Sequence, residues 1–165
     1  MARIPRNADA LKRIVLQMQE DALVVSGLQP GQSTDTGAVY TAERFRQDRE
    51  LEAWVIILSN VLTIFTADPN PARNPSAHLA RPIRLANVNR LVEEGVLLKG
   101  RSSWKPGMPV TIDPVAVERI AQDPPERLYF TDASNTEDIQ AFLRGDRTKN
   151  GTTLVAEDIE TEYYR

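Results

Sequence analysis

Arg84-Leu85-Ala86-Asn87-Val88-Asn89-Arg90-Leu91-Val92-Glu93-Glu94-Gly95-Val96-Leu97-Leu98-Lys99 is the stretch on which the fold assignment turns. Leu85, Val88, Leu91 and Val92 recur at helical spacing, and Gly95 suits the left-handed exit from a helix. Val96 to Lys99 then reads as a strand, Gly100 to Pro109 as an exposed polar loop, and Val110-Thr111-Ile112 as a returning strand. Asp113-Pro114 opens another helix, with the aspartate as N-cap and proline at the first helical position; Asp123-Pro124-Pro125 ends it.

Toward the N-terminus, Leu11, Ile14, Val15, Met18 and Ala22 form one apolar stripe, predicting an amphipathic helix from Ala8 to about Val25 that Gly27 stops. Gln29 to Tyr40 is rich in Pro, Gly, Ser, Thr and Asp and reads as a loop. A second helix is expected from Thr41 or Ala42 toward Thr66. Leu51, Trp54, Val55, Leu58, Leu62 and Phe65 lie on one face, and Ile56, Ile57, Val61 and Ile64 make its second half apolar nearly all round. The β-branched content there would also suit a strand, but length favours helix. The prolines at 69, 71 and 75 break the chain afterwards.

Toward the C-terminus, Arg127 to Thr131 reads as a strand and Asn135 to Arg144 as a helix closed by Gly145. Thr153 to Ala156 follows as a strand after the Asn150-Gly151 turn, and Glu157 to Arg165 as an acidic tail. Three segments result: 1–40, an N-terminal helix and loop; 41–125, a core; and 126–165, an extension with one helix and the acidic tail.

The composition excludes several chemistries. None of the 165 residues is cysteine, so disulfides, zinc ribbons and thiol catalysis are absent, and a single histidine, His78, cannot build a multi-histidine metal site. No cofactor and no metal are expected. Trp54 to Phe65, the longest apolar stretch, is too short to cross a bilayer, so no membrane association and a cytoplasmic location are expected. The net charge of −3 is unevenly spread: residues 1–72, 73–106 and 107–165 carry −2, +5 and −6. The middle block can therefore present a basic face to an anionic partner, or pair with the acidic third block in the fold.

Helix, glycine stop, strand, polar hairpin and strand together make Arg84 to Ile112 resemble the recognition helix and wing of a winged helix-turn-helix domain. The resemblance covers roughly residues 77–122. It implies an α+β, predominantly helical fold with a winged-helix-like centre, an N-terminal amphipathic helix and an acidic C-terminal extension. It also implies that double-stranded DNA is the partner. Arg84, Asn87 and Arg90 would face base edges, Lys99, Arg101 and Lys105 would lie on the wing against phosphates, and Arg81 would also be nucleic-acid-binding. Trp104, on the loop, would either anchor a partner or fold back on its own core.

Enzyme signals are few. Asp35-Thr36-Gly37-Ala38 matches the catalytic tetrapeptide of aspartic proteases, but the polar residues before it do not make the apolar strand which that chemistry needs, and a turn is the better reading. The expectation is thus a non-enzymatic DNA-binding module acting in transcription regulation, self-associating through its N-terminal or over-apolar helix. The alternative is a structural or assembly subunit of a viral particle or multi-protein complex, completed by other protein subunits.

Overall fold

The computed structural model describes Arg13 and residues 33–47, 53–99 and 112–164. Its centre is a mixed five-stranded sheet in the order β1-β3-β4-β2-β5. The strands are β1 (Val55–Ser59), β2 (Ile83–Asn87), β3 (Arg127–Asp132), β4 (Thr152–Val155) and β5 (Glu162–Tyr163). The helices are α1 (Thr34–Gln47), α2 (Val88–Glu93), α3 (Pro114–Gln122) and α4 (Thr136–Leu143), with a 3-10 turn at Ala77–Leu79. β1 and β3 are parallel, as are β2 and β4, while β3 with β4 and β2 with β5 are antiparallel.

A sheet with helices on its faces replaces the predominantly helical fold that the sequence suggested. The expected helix from residue 41 to 66 is in fact the end of α1, a connection and β1. Val55-Ile56-Ile57 is apolar on successive residues because β1 lies against a second parallel strand, and β-branched side chains fit a pleated surface better than a helix turn. α1 starts earlier than expected, inside the supposed loop. Ser33 Oγ accepts from Thr36 N at 3.2 Å, Asp35 lies in the positive first turn, and Gly37 is buried.

The winged-helix centre dissolves in the same way. Ile83 to Asn87 is a strand, so Arg84, Leu85 and Asn87 do not belong to a recognition helix; α2 is only six residues long. Asn87 is its N-cap, accepting from Arg90 N at 2.8 Å. Gly95 does leave the helix with φ of 73°. Val96 and Leu97 then turn back with both N–H groups on Leu91 O, at 2.9 and 3.0 Å, instead of entering a wing strand. The segment 100–111 with the supposed wing, and the N-terminal helix apart from Arg13, lie outside the described residues.

Several elements agree with the sequence. Asp113 caps α3, accepting from Val115 N at 2.9 Å and Ala116 N at 3.3 Å, with Pro114 beginning the helix. β3, α4 and β4 fall where the pattern placed a strand, a helix and a strand. The acidic tail is not a separate appendage, because β5 pairs with β2 and Tyr164 N donates to Pro82 O at 3.0 Å.

Alternation along β3 divides the core. Leu128 and Phe130 join Val55, Ile57, Leu154, Val39, Ala42, Ala116, Val117 and Ile120 in the main cluster, on the side of α1 and α3. Tyr129 turns to the opposite face, where Phe142 of α4 stacks on it at 5.0 Å and meets Trp54 edge-on at 5.5 Å. α4 is held by its buried Asp138, whose carboxylate accepts from Lys149 N (2.7 Å), Asn150 N (2.9 Å), Asn150 Nδ2 (2.9 Å) and Asn135 Nδ2 (3.1 Å). Burial raises the pKa of this group, but the hydrogen bonds outweigh it and hold the carboxyl below the usual aspartate range.

Two tests follow. Gly151 and Gly95 both have φ above 70°, but a Cβ on Gly151 would stand within 2.6 Å of the Tyr129 ring, whereas one on Gly95 would meet nothing within 4 Å. Gly95→Ala is expected to cost about 1–2 kcal/mol in urea unfolding, and Gly151→Ala clearly more; equal costs would remove the Tyr129 contact from the account. A carboxyl depressed on folding contributes stability that is present above its unfolded pKa and lost as pH falls through the folded value. Stability should therefore fall on acidification through the carboxylate range more steeply in the wild type than in Asp138→Asn, measured by urea midpoints across pH.

Candidate functional site

The topology gathers functional groups at one end of the sheet. β1 and β3 end there, at Ser59 and Asp132, and β4 and β2, running oppositely, begin there at Thr152 and Ile83. α1 and α3 each lead back into the parallel strand that follows them, so their N-termini also lie at this end. The two helices run side by side. Thr36 Oγ1 donates to Asp113 Oδ1 at 3.0 Å, Arg119 pairs with Glu43 at 2.9 Å, and Arg46 pairs with Asp123 at 2.7 Å. Asp35 Oδ2 also accepts from Asp113 N at 3.0 Å, so the two N-termini are tied by reciprocal bonds.

Two abreast helix N-termini thus lie at the carboxyl ends of parallel strands, where open α/β sheets bind ligands; here Ser33, Asp35 and Asp113 accept from the N–H groups of Thr36, Asp113, Val115 and Ala116. Ser33, Asp35, Thr36 and Asp113 supply hydroxyl and carboxylate groups there. Among the described residues no three His, Asp or Glu side chains converge as a metal site.

The connection from Asn60 to Pro82 leaves β1 and enters β2 at the same end, as a lobe with a narrow neck. At the neck Ile83 N donates to Ile64 O at 2.8 Å, Thr66 N to Arg81 O at 3.0 Å, and Phe65 bridges Pro82. Inside the lobe the buried Asp68 carboxylate accepts from Asn70 N (2.9 Å) and pairs with Arg73 Nε (2.7 Å). The Asn70 N–H lowers the Asp68 pKa most; burial opposes it and Arg73 adds to the lowering, so the carboxyl stays below the usual aspartate range. Asn74, also buried, donates to Asp68 O at 2.8 Å and accepts from Ser76 N at 3.0 Å. The prolines that marked only a break in the sequence thus punctuate an ordered lobe.

The residues expected to contact DNA do not form one face. Arg81 stacks over Tyr163 at 3.6 Å, and Arg84, in β2, faces Glu162 at 4.0 Å. Asn87, at the other end of the strand, donates to Ala156 O and Glu157 O, both at 2.9 Å, and Arg90 pairs with Glu94 at 3.2 Å. Lys99 borders a cleft between α2 and α3 with Glu93 and Glu118. Among the described residues of the positive middle block, Arg73, Arg84 and Arg90 pair with the chain's own acids. Arg101, Trp104 and Lys105 lie outside the described residues.

No protein-family model matches the sequence. The chain is 30% identical over 145 residues to a uridylate kinase of Pyrobaculum arsenaticum, covering 88% of this chain and 58% of that protein. It is also 30% identical over 117 residues to a uridylate kinase of Ignicoccus hospitalis, covering 70% of this chain and 45% of that one. The fold is similar to the crystal structure of the UMP kinase from Bacillus anthracis, with a TM-score of 0.56 and 17% identity over 83% of this chain and 45% of that one. The chain spans about half the length of the relatives it matches.

These findings overturn the winged-helix assignment, the non-enzymatic DNA-binding reading with transcription regulation, and the structural-subunit alternative; double-stranded DNA falls with them as the partner. Among the described residues no helix is long and apolar enough to cross a membrane.

Sequence reasoning missed Ser33, Asp35, Thr36 and Asp68. For the first three a signal existed: a serine followed by an acidic residue in the first turn is an N-terminus pattern, and the apparent protease tetrapeptide is the start of a helix. Asp113→Ala removes both the α3 cap and the acceptor of Thr36. It should destabilise the protein by about 1–2 kcal/mol, and Thr36→Val on that background should cost little more in a double-mutant cycle of urea unfolding.

Proposed function

We propose that this chain is the nucleotide-binding part of a cytoplasmic uridylate kinase, taking uridine monophosphate at the strand-end site. The observation that carries this reading is the 30% identity to a uridylate kinase, which extends over 88% of the chain. The topology is in keeping with it, since two parallel helices begin side by side beyond the carboxyl ends of β1 and β3, the place where open α/β sheets take nucleotides.

Transfer of a phosphoryl group leaves little covalent chemistry to the protein, which acts by positioning and by stabilising charge. The terminal phosphorus–oxygen bond of a nucleoside triphosphate breaks, and a new one forms to a phosphate oxygen of UMP, giving UDP and the nucleoside diphosphate. In this chain the strand-end site beside the α1 and α3 N-termini would hold a phosphate. Thr36 and Asp113 keep the two helices in register, and the 60–82 lobe would shield the site from water.

Calorimetric titration with UMP and a coupled assay with ATP test the reading. Saturable UMP binding that competes with UDP and is weakened several-fold in Asp35→Ala is expected; no binding of UMP at millimolar concentration would overturn it.

A further inference from the structure

We infer that Thr152 is a positioning residue, whose hydroxyl sets the orientation of the 60–82 lobe at the end of the sheet that carries the candidate site; this rests on the uridylate-kinase reading for its functional consequence. Thr152 is the first residue of β4 and is fully buried. Its Oγ1 accepts from Ile64 N at 2.9 Å, lies 2.8 Å from Thr63 Oγ1, and donates to Ile83 O at 2.7 Å. Thr63 Oγ1 is itself 2.8 Å from Ile83 O. One hydroxyl from the sheet therefore touches both strands of the lobe's neck, the outgoing one at Thr63 and Ile64 and the returning one at Ile83.

The proton count makes this knot directional. Two hydroxyl protons are shared among three oxygens, and Ile83 O has no hydrogen to give, so each proton points toward the carbonyl or toward the other hydroxyl. The Ile64 N–H points only at Thr152. Without the Thr152 hydroxyl the buried Ile64 N–H loses its acceptor, while β2, the returning strand, stays paired with β4 from Leu85 onward. The ladder would still close the lobe on itself, through Ile83 N to Ile64 O and Thr66 N to Arg81 O. What is lost is the tie between β4 and the outgoing strand of the neck at Thr63 and Ile64. The consequence is a change of position, distinct from unfolding of the lobe.

Thr152→Val removes the hydroxyl at nearly constant shape, and Thr152→Ser restores it. Tyr164→Phe is the control, because it removes the Tyr164 hydroxyl bond to Gly151 O (2.6 Å) at the same end without touching the neck. Hydrogen exchange followed by mass spectrometry on the intact chain should show faster exchange for peptides spanning 63–83 in Thr152→Val, wild-type rates in Thr152→Ser, and no lobe effect in Tyr164→Phe. In the uridylate kinase assay the nucleotide KM should rise about tenfold in Thr152→Val, with kcat within about twofold, and recover in Thr152→Ser. Unchanged lobe exchange in Thr152→Val, failure of serine to restore it, or an equal lobe effect of Tyr164→Phe overturns the proposal. Absence of UMP turnover in the wild type overturns the kinase reading instead, and the exchange result still decides the role of Thr152.

Discussion

Leu128, Tyr129, Phe130 and Thr131 are buried without interruption, so β3 must be covered on both faces and along both edges. The rest of the described structure answers that demand. β1 and β4 take the edges, α1 and α3 cover the Leu128 and Phe130 side, and Phe142 of α4 covers Tyr129. Because α1 and α3 must lie antiparallel to the strands they feed, covering β3 also places two helix N-termini together beyond its end. The site is a by-product of filling the core.

The parts legible in the sequence were those governed by neighbours in the chain. Asp113-Pro114 announces α3, and Gly95 announces the end of α2, because caps and left-handed residues act over three or four positions. Val55 to Ile57 was misread because its outward-facing residues are also apolar, half-buried at Ile56 and exposed at Leu58, so the alternation of the strand does not show in the sequence. What it lacks is visible only from its partner, Leu128 to Phe130, far along the chain. The charge blocks misled for a related reason. Arg84 and Arg147 share Glu162 across the fold, a pairing that local counting cannot see.

The site was partly legible. The first turn of α1 carried a recognisable pattern, whereas Thr63 and Thr152 gave no signal. A threonine in a β-rich segment is ordinary, and only folding brings these two hydroxyls onto one carbonyl. Asp68 lies between, since an aspartate before Pro69-Asn70 predicts a local turn but not its burial beside Arg73.

The sheet's last pairing has a consequence for how the chain is made. Ile83 is paired with Tyr163, and Val55 with Leu128, so hardly any of the strand contacts are local. Loop closure must precede the reward of such contacts, which slows folding. During synthesis β1 and β2 leave the ribosome long before the residues that complete them. Val55, Ile57 and Ile83 therefore spend that interval as unsatisfied, aggregation-prone edges. The sheet is complete only once Glu162 and Tyr163 have been translated.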